Sequence, residues 1–254
     1  GKAFAEVVNK RGSDNSLIVA ASAATATRLA QGAYPGNSMD QVKWVGTIGA
    51  DYGVIAVAGD SDVVTLGELL ENLKTKPKKW GIGGGSAVGG WDHLKVLMAA
   101  KEYGISNVRK IKYVSFDGGG DAVTQLLAGN VQIFTGDVSE IKGFVDAGDI
   151  KIIAVLSPDR LPGDFSKFYT AREQGVNVVG ANWRGFYVPK GMSDDAYNFW
   201  AGAIKKMYDT PQWKKTMAKN GLAPLDLSGK AFEGFVANSV ASIQTISKQI
   251  GIIK

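Results

Sequence analysis

Two glycine-rich segments, each set between an apolar run and a helical pattern, constrain this chain more than any other feature. The first is WGIGGGSAVGGWDHL, residues 80–94, and the second is YVSFDGGGDAVTQLL, residues 113–127. A turn without side chains lets the backbone approach a ligand closely, and the unpaired amides and positive dipole end of the helix that follows favour negative charge. After the second turn, Ala122, Val123, Leu126 and Leu127 give the helix its apolar face. Either segment also reads as a tight strand-to-helix connection that holds no ligand. In both readings the unit is strand, turn, helix, and the chain is of the α/β class.

The rest of the pattern agrees. Short apolar runs at 16–20, 44–48, 54–57, 80–83, 111–114, 131–134, 150–155 and 184–188 predict strands in a largely parallel sheet, with helices between them. Thr65 followed by Glu68 is a capping box that opens a helix running through Lys74. Trp91, Leu94, Leu97 and Met98 predict one buried helical face, and Ile141, Phe144 and Val145 another. Residues 1–10 read as a helix, and two long helices, 193–210 and 230–250, close the chain. In the last of these Phe232, Phe235, Val236, Val240, Ile243, Ile246 and Ile250 recur at helical spacing, which predicts core contact.

Composition removes several functions. Cysteine is absent, so the fold has no disulfide framework and no thiolate chemistry. The formal charge of +5 comes from scattered residues. The one basic run, Lys74, Lys76, Lys78 and Lys79, surrounds Pro77, and no aromatic residue interleaves it to stack on bases. It reads as a solvated helix exit, and no nucleic-acid partner is expected. No segment reaches the roughly 20 uninterrupted apolar residues of a membrane-spanning helix.

Catalytic patterns fail one by one. The first turn lacks the Lys and Ser/Thr of a P-loop, and Gly81, Gly83 and Ser86 miss the last small residue of a dinucleotide fingerprint. A hydrolase elbow fails because Val88 stands where its second glycine belongs. His93 is the only histidine and lies seven residues after Ser86, the wrong chain order for a triad on that elbow, so a local hydrogen bond on the helix side away from the ligand pocket is expected of it. One histidine and no cysteine leave no metal ligand set, and no cofactor is expected. Asp137 follows a strand and precedes a helix, where it reads either as an N-cap or as a group presented to a ligand.

The chain resembles the substrate-binding components of tripartite tricarboxylate transporters, the TctC/Bug-like family. The resemblance spans nearly the whole sequence and rests on the order and spacing of GKAFAEVVNK, the strand ending in Ser22 to Thr25, KWVGTIGADYGVIAV, GGGSAVGG, SFDGGGD, TGDVSEIKGFVDAGDIKIIAV and TAREQGVNVVGANWRGFYVPKGMSDDAY. Asp51 to Gly53, the FDGGGD loop and Arg184 to Tyr187 look closest to the citrate-binding branch, while Trp91 and His93 depart from the family pattern.

This resemblance implies a type II periplasmic-binding-protein fold, with two α/β domains around a ligand cleft and without the family's opening βα unit. Domain one is expected from 1–57 plus 184–254, and domain two from 58–183. It also implies a non-catalytic, monomeric periplasmic receptor that captures a di- or tricarboxylate and delivers it to membrane permease subunits. A sensing subunit for a membrane kinase, and a periplasmic enzyme acting on a small carboxylate, stand as alternatives. The expected ligand contacts are Ser22, Thr25, Tyr52, Ser86, Ala87, Gly89, Gly119, Gly120, Asp137 and Arg184, the last because a planar guanidinium pairs with a carboxylate through two bonds.

Overall fold

The computed structural model describes all 254 residues. Along the chain run α1 (Lys2–Lys10), β1 (Val19–Ser22), α2 (Ala23–Ala30), the long β2 (Val42–Ala58), α3 (Leu66–Thr75) and β3 (Gly81–Gly84). These are followed by α4 (Trp91–Glu102), β4 (Lys112–Ser115), α5 (Gly119–Leu127), β5 (Ile133–Asp137), α6 (Val138–Ala147) and β6 (Ile150–Val155). Last come β7 (Ala181–Pro189), α7 (Asp194–Asp209), α8 (Pro211–Lys219) and α9 (Gly229–Gln249). The chain forms two compact units, one of residues 1–50, 182–249 and 253–254, the other of residues 51–181 and 250–252. No helix is long and apolar enough to cross a membrane.

In the first unit β1 lies antiparallel to β7, with Val19 opposite Tyr187 and Ser22 opposite Arg184. Its core is aromatic. Trp44, Trp183 and Phe232 are almost fully buried and meet edge to face, with ring centroids 5.2 to 5.9 Å apart, the arrangement that ring quadrupoles favour. A side chain at Gly185 would stand 2.6 Å from the Gly46 carbonyl oxygen and 3.0 Å from the Phe232 ring, so this strand position must be glycine for the cluster to close. On α9 the predicted face is buried at Phe232, Val236 and Ile243 and half-buried at Phe235, Val240 and Ile246, while Ile250 lies past the helix in the second unit.

In the second unit β2 pairs antiparallel with β5 on one side and with β6 on the other, while β3 runs parallel to both β5 and β4. The sheet is therefore mixed, not largely parallel. Apolar runs buried on both faces look the same whichever way their neighbours point, so the sequence does not carry this information. The two runs expected near 44–48 and 54–57 are one strand of 17 residues, within which Gly49 takes a φ of 133° that side chains disfavour.

Two helices also differ from expectation. On α4 the expected apolar stripe is buried at Trp91, Leu94 and Leu97, but Asp92, His93, Lys95, Val96, Ala99 and Ala100 are buried as well, so nearly the whole circumference is covered. Between the two long terminal helices stands α8, capped by Thr210 and started by Pro211. Of its nine residues only Met217 is buried, which is why it shows no apolar period. The Thr65 box forms as expected: Thr65 Oγ1 accepts from Glu68 N at 3.2 Å, and Glu68 Oε2 accepts from Thr65 N at 3.1 Å.

Phe232 sits at the centre of the aromatic cluster, and Phe232→Ala is expected to cost about 3 to 5 kcal/mol of stability. Urea unfolding should show this as a lower midpoint with an unchanged slope.

Candidate functional site

Because β3, β4 and β5 are parallel, their carboxyl ends reach one edge of the second unit, and both glycine-rich turns leave from that edge. The turns lie against each other. A β-carbon at Gly85 would stand 2.6 Å from the Gly119 nitrogen and 2.7 Å from the Gly118 carbonyl carbon. Tertiary contact alone thus explains this glycine.

The first turn is held by its own side chains. Ser86 Oγ accepts from Asp92 N at 3.0 Å and Tyr113 Oη donates to the Ser86 carbonyl at 2.8 Å. Gly90 N donates to the Ala87 carbonyl at 2.7 Å, and Gly89, at φ 80°, donates its amide to His93 Nδ1 at 2.9 Å. The His93 ring stacks on Tyr113 with centroids 4.3 Å apart. Burial pushes the His93 imidazole down to about 4 and the Tyr113 hydroxyl up to about 12, so both rings are neutral at pH 7. After these bonds are assigned, the amides of Ser86 and Ala87 donate to no protein acceptor. The same holds for Gly119 and Gly120 at the start of α5, where helix geometry leaves the first N–H groups without partners.

Behind the turns lies a buried ion cluster that sequence reasoning missed. Lys95 is fully buried, and its Nζ stands 2.6 Å from Asp137 Oδ1, 2.7 Å from the Gly136 carbonyl and 3.0 Å from Asp92 Oδ1. Burial alone would push this ammonium down, but Asp137 and Asp92 outweigh it and hold the group above its ordinary value. Gly53 and Gly180 make room for the side chain: a β-carbon at either would meet Lys95 Cδ, at 2.6 and 3.1 Å. The only sequence signal was a lysine and an aspartate three residues apart in a helix otherwise rich in apolar residues.

Glu140 was also missed. Its carboxylate sits between the two glycines whose β-carbons would collide with it, Gly119 and Gly136, and its Oε2 accepts from Asp137 N at 2.8 Å. The side chain keeps an exposed face, but the packed surroundings of the carboxyl raise its pKa through desolvation. Asp137 itself is the N-cap of α6 and a partner of Lys95.

The expected contacts thus fall into groups. Ser86, Ala87, Gly89, Gly119 and Gly120 come together at the paired turns, with Asp137 behind them. Tyr52 is half-buried on β2, its hydroxyl pushed up by burial and then by Asp159, and it makes no hydrogen bond to either turn. In the first unit Ser22 and Arg184 are direct cross-strand neighbours, and Ser22 caps α2 with Thr25, whose Oγ1 accepts from Ser22 N at 3.4 Å.

The fold is a mixed α/β one, and its paired turns leave four main-chain amides without a protein acceptor. The chain belongs to the tripartite tricarboxylate transporter family receptors (TctC), whose pattern matches residues 13–252. Among curated relatives it is 23% identical, over 81% of its length, to a Cupriavidus necator protein described as the UPF0065 protein in the gbd 5′ region, and it spans 61% of that protein's length. Its fold matches that of a Rhodopseudomonas palustris protein, Rpa4515, solved with adipate: TM-score 0.84 and 18% identity over 98% of this chain and 82% of the other. It also matches MatC of the same organism, solved with bound malate, with TM-score 0.79 and 14% identity over 96% and 83% of the two chains.

Lys95→Met would remove the buried ammonium that pairs with Asp92 and Asp137, and is expected to cost about 3 to 5 kcal/mol in urea unfolding at pH 7. His93 is neutral in the fold, while the unfolded chain takes up its proton near pH 6.5. The stability it contributes is therefore complete above pH 6.5 and is lost as pH falls towards 4, on the order of 3 kcal/mol in all. His93→Gln should flatten the fall in unfolding midpoint across that window.

Proposed function

We propose that this chain is the extracytoplasmic receptor of a tripartite tricarboxylate transporter and that it captures a small di- or tricarboxylate without transforming it. One observation carries the reading: the two turns touch, and the amides of Ser86, Ala87, Gly119 and Gly120 are left with no protein acceptor. A carboxylate placed there accepts several N–H bonds, which compensates the loss of its hydration. Membership of the receptor family supports the transport role, with membrane permease subunits as the partner and the periplasm as the compartment. Malate in one structural relative and adipate in another support a dicarboxylate at least as well as citrate, so the ligand class is a short acid with two or three carboxylates.

Ser22, Thr25 and Arg184 in the first unit form a second set of polar groups for the same ligand class, with Arg184 able to hold a carboxylate by two charge-assisted bonds. The chemistry at the paired turns favours a receptor over an enzyme acting on a carboxylate. Tyr113 Oη and His93 Nδ1 hold the first turn, both rings are neutral at pH 7, and Lys95 is fully buried and ion-paired behind them. Incubating the protein with malate, adipate and citrate should return each acid unchanged; turnover of any of them would replace the receptor reading with the enzymatic one.

Calorimetry with those three acids is the direct test, and binding of none would end the proposal. Arg184→Ala is expected to weaken the bound acid by about tenfold or more. Gly120 has open space where a side chain would go, so Gly120→Val should fold and yet block approach to the α5 amides, with loss of binding. Glu140→Gln keeps the capping bond to Asp137 N but removes a negative charge beside Gly119, and is expected to tighten an anionic ligand by about threefold. Weaker binding by this variant would mean that Glu140 contacts the ligand.

A further inference from the structure

A cavity of 230 Å³ lies on the side of the second unit between α4, β4 and the tail residues 250–252. Its floor is apolar: Leu97, Val108, Ile111 and Ile250 are all buried. Two polar groups with donors to spare stand in its wall: Arg109, which takes no part in the paired turns, and His93, which holds the first turn through Nδ1 only. Arg109 is exposed, and its one hydrogen bond, Nε to the Ile250 carbonyl at 3.1 Å, leaves both terminal nitrogens of the guanidinium as donors without an acidic partner. The guanidinium packs on Gly251, where a β-carbon would overlap it. His93 lines the same cavity, and with Nδ1 accepting from Gly89 N, the donor left to its ring is Nε2–H.

A cationic fork and a neutral N–H donor above an apolar floor suit a molecule with one anionic head and a hydrocarbon body. A dicarboxylate fits badly, since its second charge would be pressed onto Leu97, Val108 and Ile111 with nothing to pair it. Apolar cavities of about 150 Å³ hold a benzene, so this volume suits an acid of about five to seven carbons. We propose that the cavity is a second ligand site, separate from the paired turns, which takes a short aliphatic monocarboxylate, with Arg109 pairing the carboxylate and His93 donating from the wall. The occupant would rest against Ile250 and Ile252 and so fix the tail to α4.

The test uses the full chain with hexanoate and its neutral amide, hexanamide, in calorimetry, and follows hydrogen exchange of residues 250–252. Hexanoate is expected to bind and to slow exchange in the tail, with hexanamide about tenfold weaker. Arg109→Gln should lose about tenfold in hexanoate affinity while Arg184→Ala leaves it unchanged. Because Arg109 also holds the Ile250 carbonyl, a second variant is needed. Val88→Trp narrows the mouth from a residue that is 62% exposed and leaves that bond alone, and it should weaken hexanoate as well. The proposal is overturned if hexanoate does not bind at millimolar concentration, or if hexanamide binds equally. It is overturned too if Arg184→Ala abolishes binding, or if Arg109→Gln and Val88→Trp both leave it intact.

Discussion

The ammonium of Lys95, buried between Asp92, Asp137 and the Gly136 carbonyl, is the interaction on which the second unit's binding edge depends. It joins α4, which follows the first glycine turn, to the end of β5 and the start of α6. A buried ion cluster of this kind adds little net stability over an apolar core of the same shape, but removing one partner leaves the others exposed to a large desolvation penalty. Its role is to fix position. With Asp92 and Asp137 held in place, Asp92 N meets Ser86 Oγ, Thr135 Oγ1 donates to the Asp92 carbonyl at 3.1 Å, and the Asp137 amide meets Glu140.

From that anchor the glycines divide into two kinds. Gly53 and Gly180 admit Lys95, Gly85 admits the neighbouring turn, and Gly119 and Gly136 admit Glu140. Those residues are small because protein fills the space. In the second turn Gly118 and Gly120 face no atom within 4 Å, so there the absence of a side chain leaves room for something else. A glycine-rich segment is therefore a mixed signal, in which most members serve packing and a few keep amides open.

The electrostatics follow from the same arrangement. Asp92 and Asp137 pair with the one buried ammonium, so at the turns themselves an anion would meet oriented N–H groups and not the Lys95 cation. Glu140 stands against the backbone of Gly119, and desolvation raises its pKa. The neutral pair His93 and Tyr113 joins this region to the apolar cavity on the far side of α4.

Local chemistry was legible in the sequence. The Thr65 box, the closing helix face at Phe232, Val236 and Ile243, and the two strand–turn–helix units all arise from residues within a few positions of each other, where side-chain type and spacing set the outcome. The order of those segments also identified the family. What the sequence alone did not reveal was the direction of β2 against β5 and β6, since apolar strands carry no record of their neighbours' orientation. Nor did it reveal that Lys95 is internal, because a lysine 42 residues from its Asp137 partner looks like any surface charge until the fold brings them together. The pairing of Gly85 with Gly119, and the carboxylate of Glu140 between two glycines, belong to the same class. Contacts between distant segments are set by the packing of whole elements, and only the tertiary structure decides which amides are left to meet a ligand.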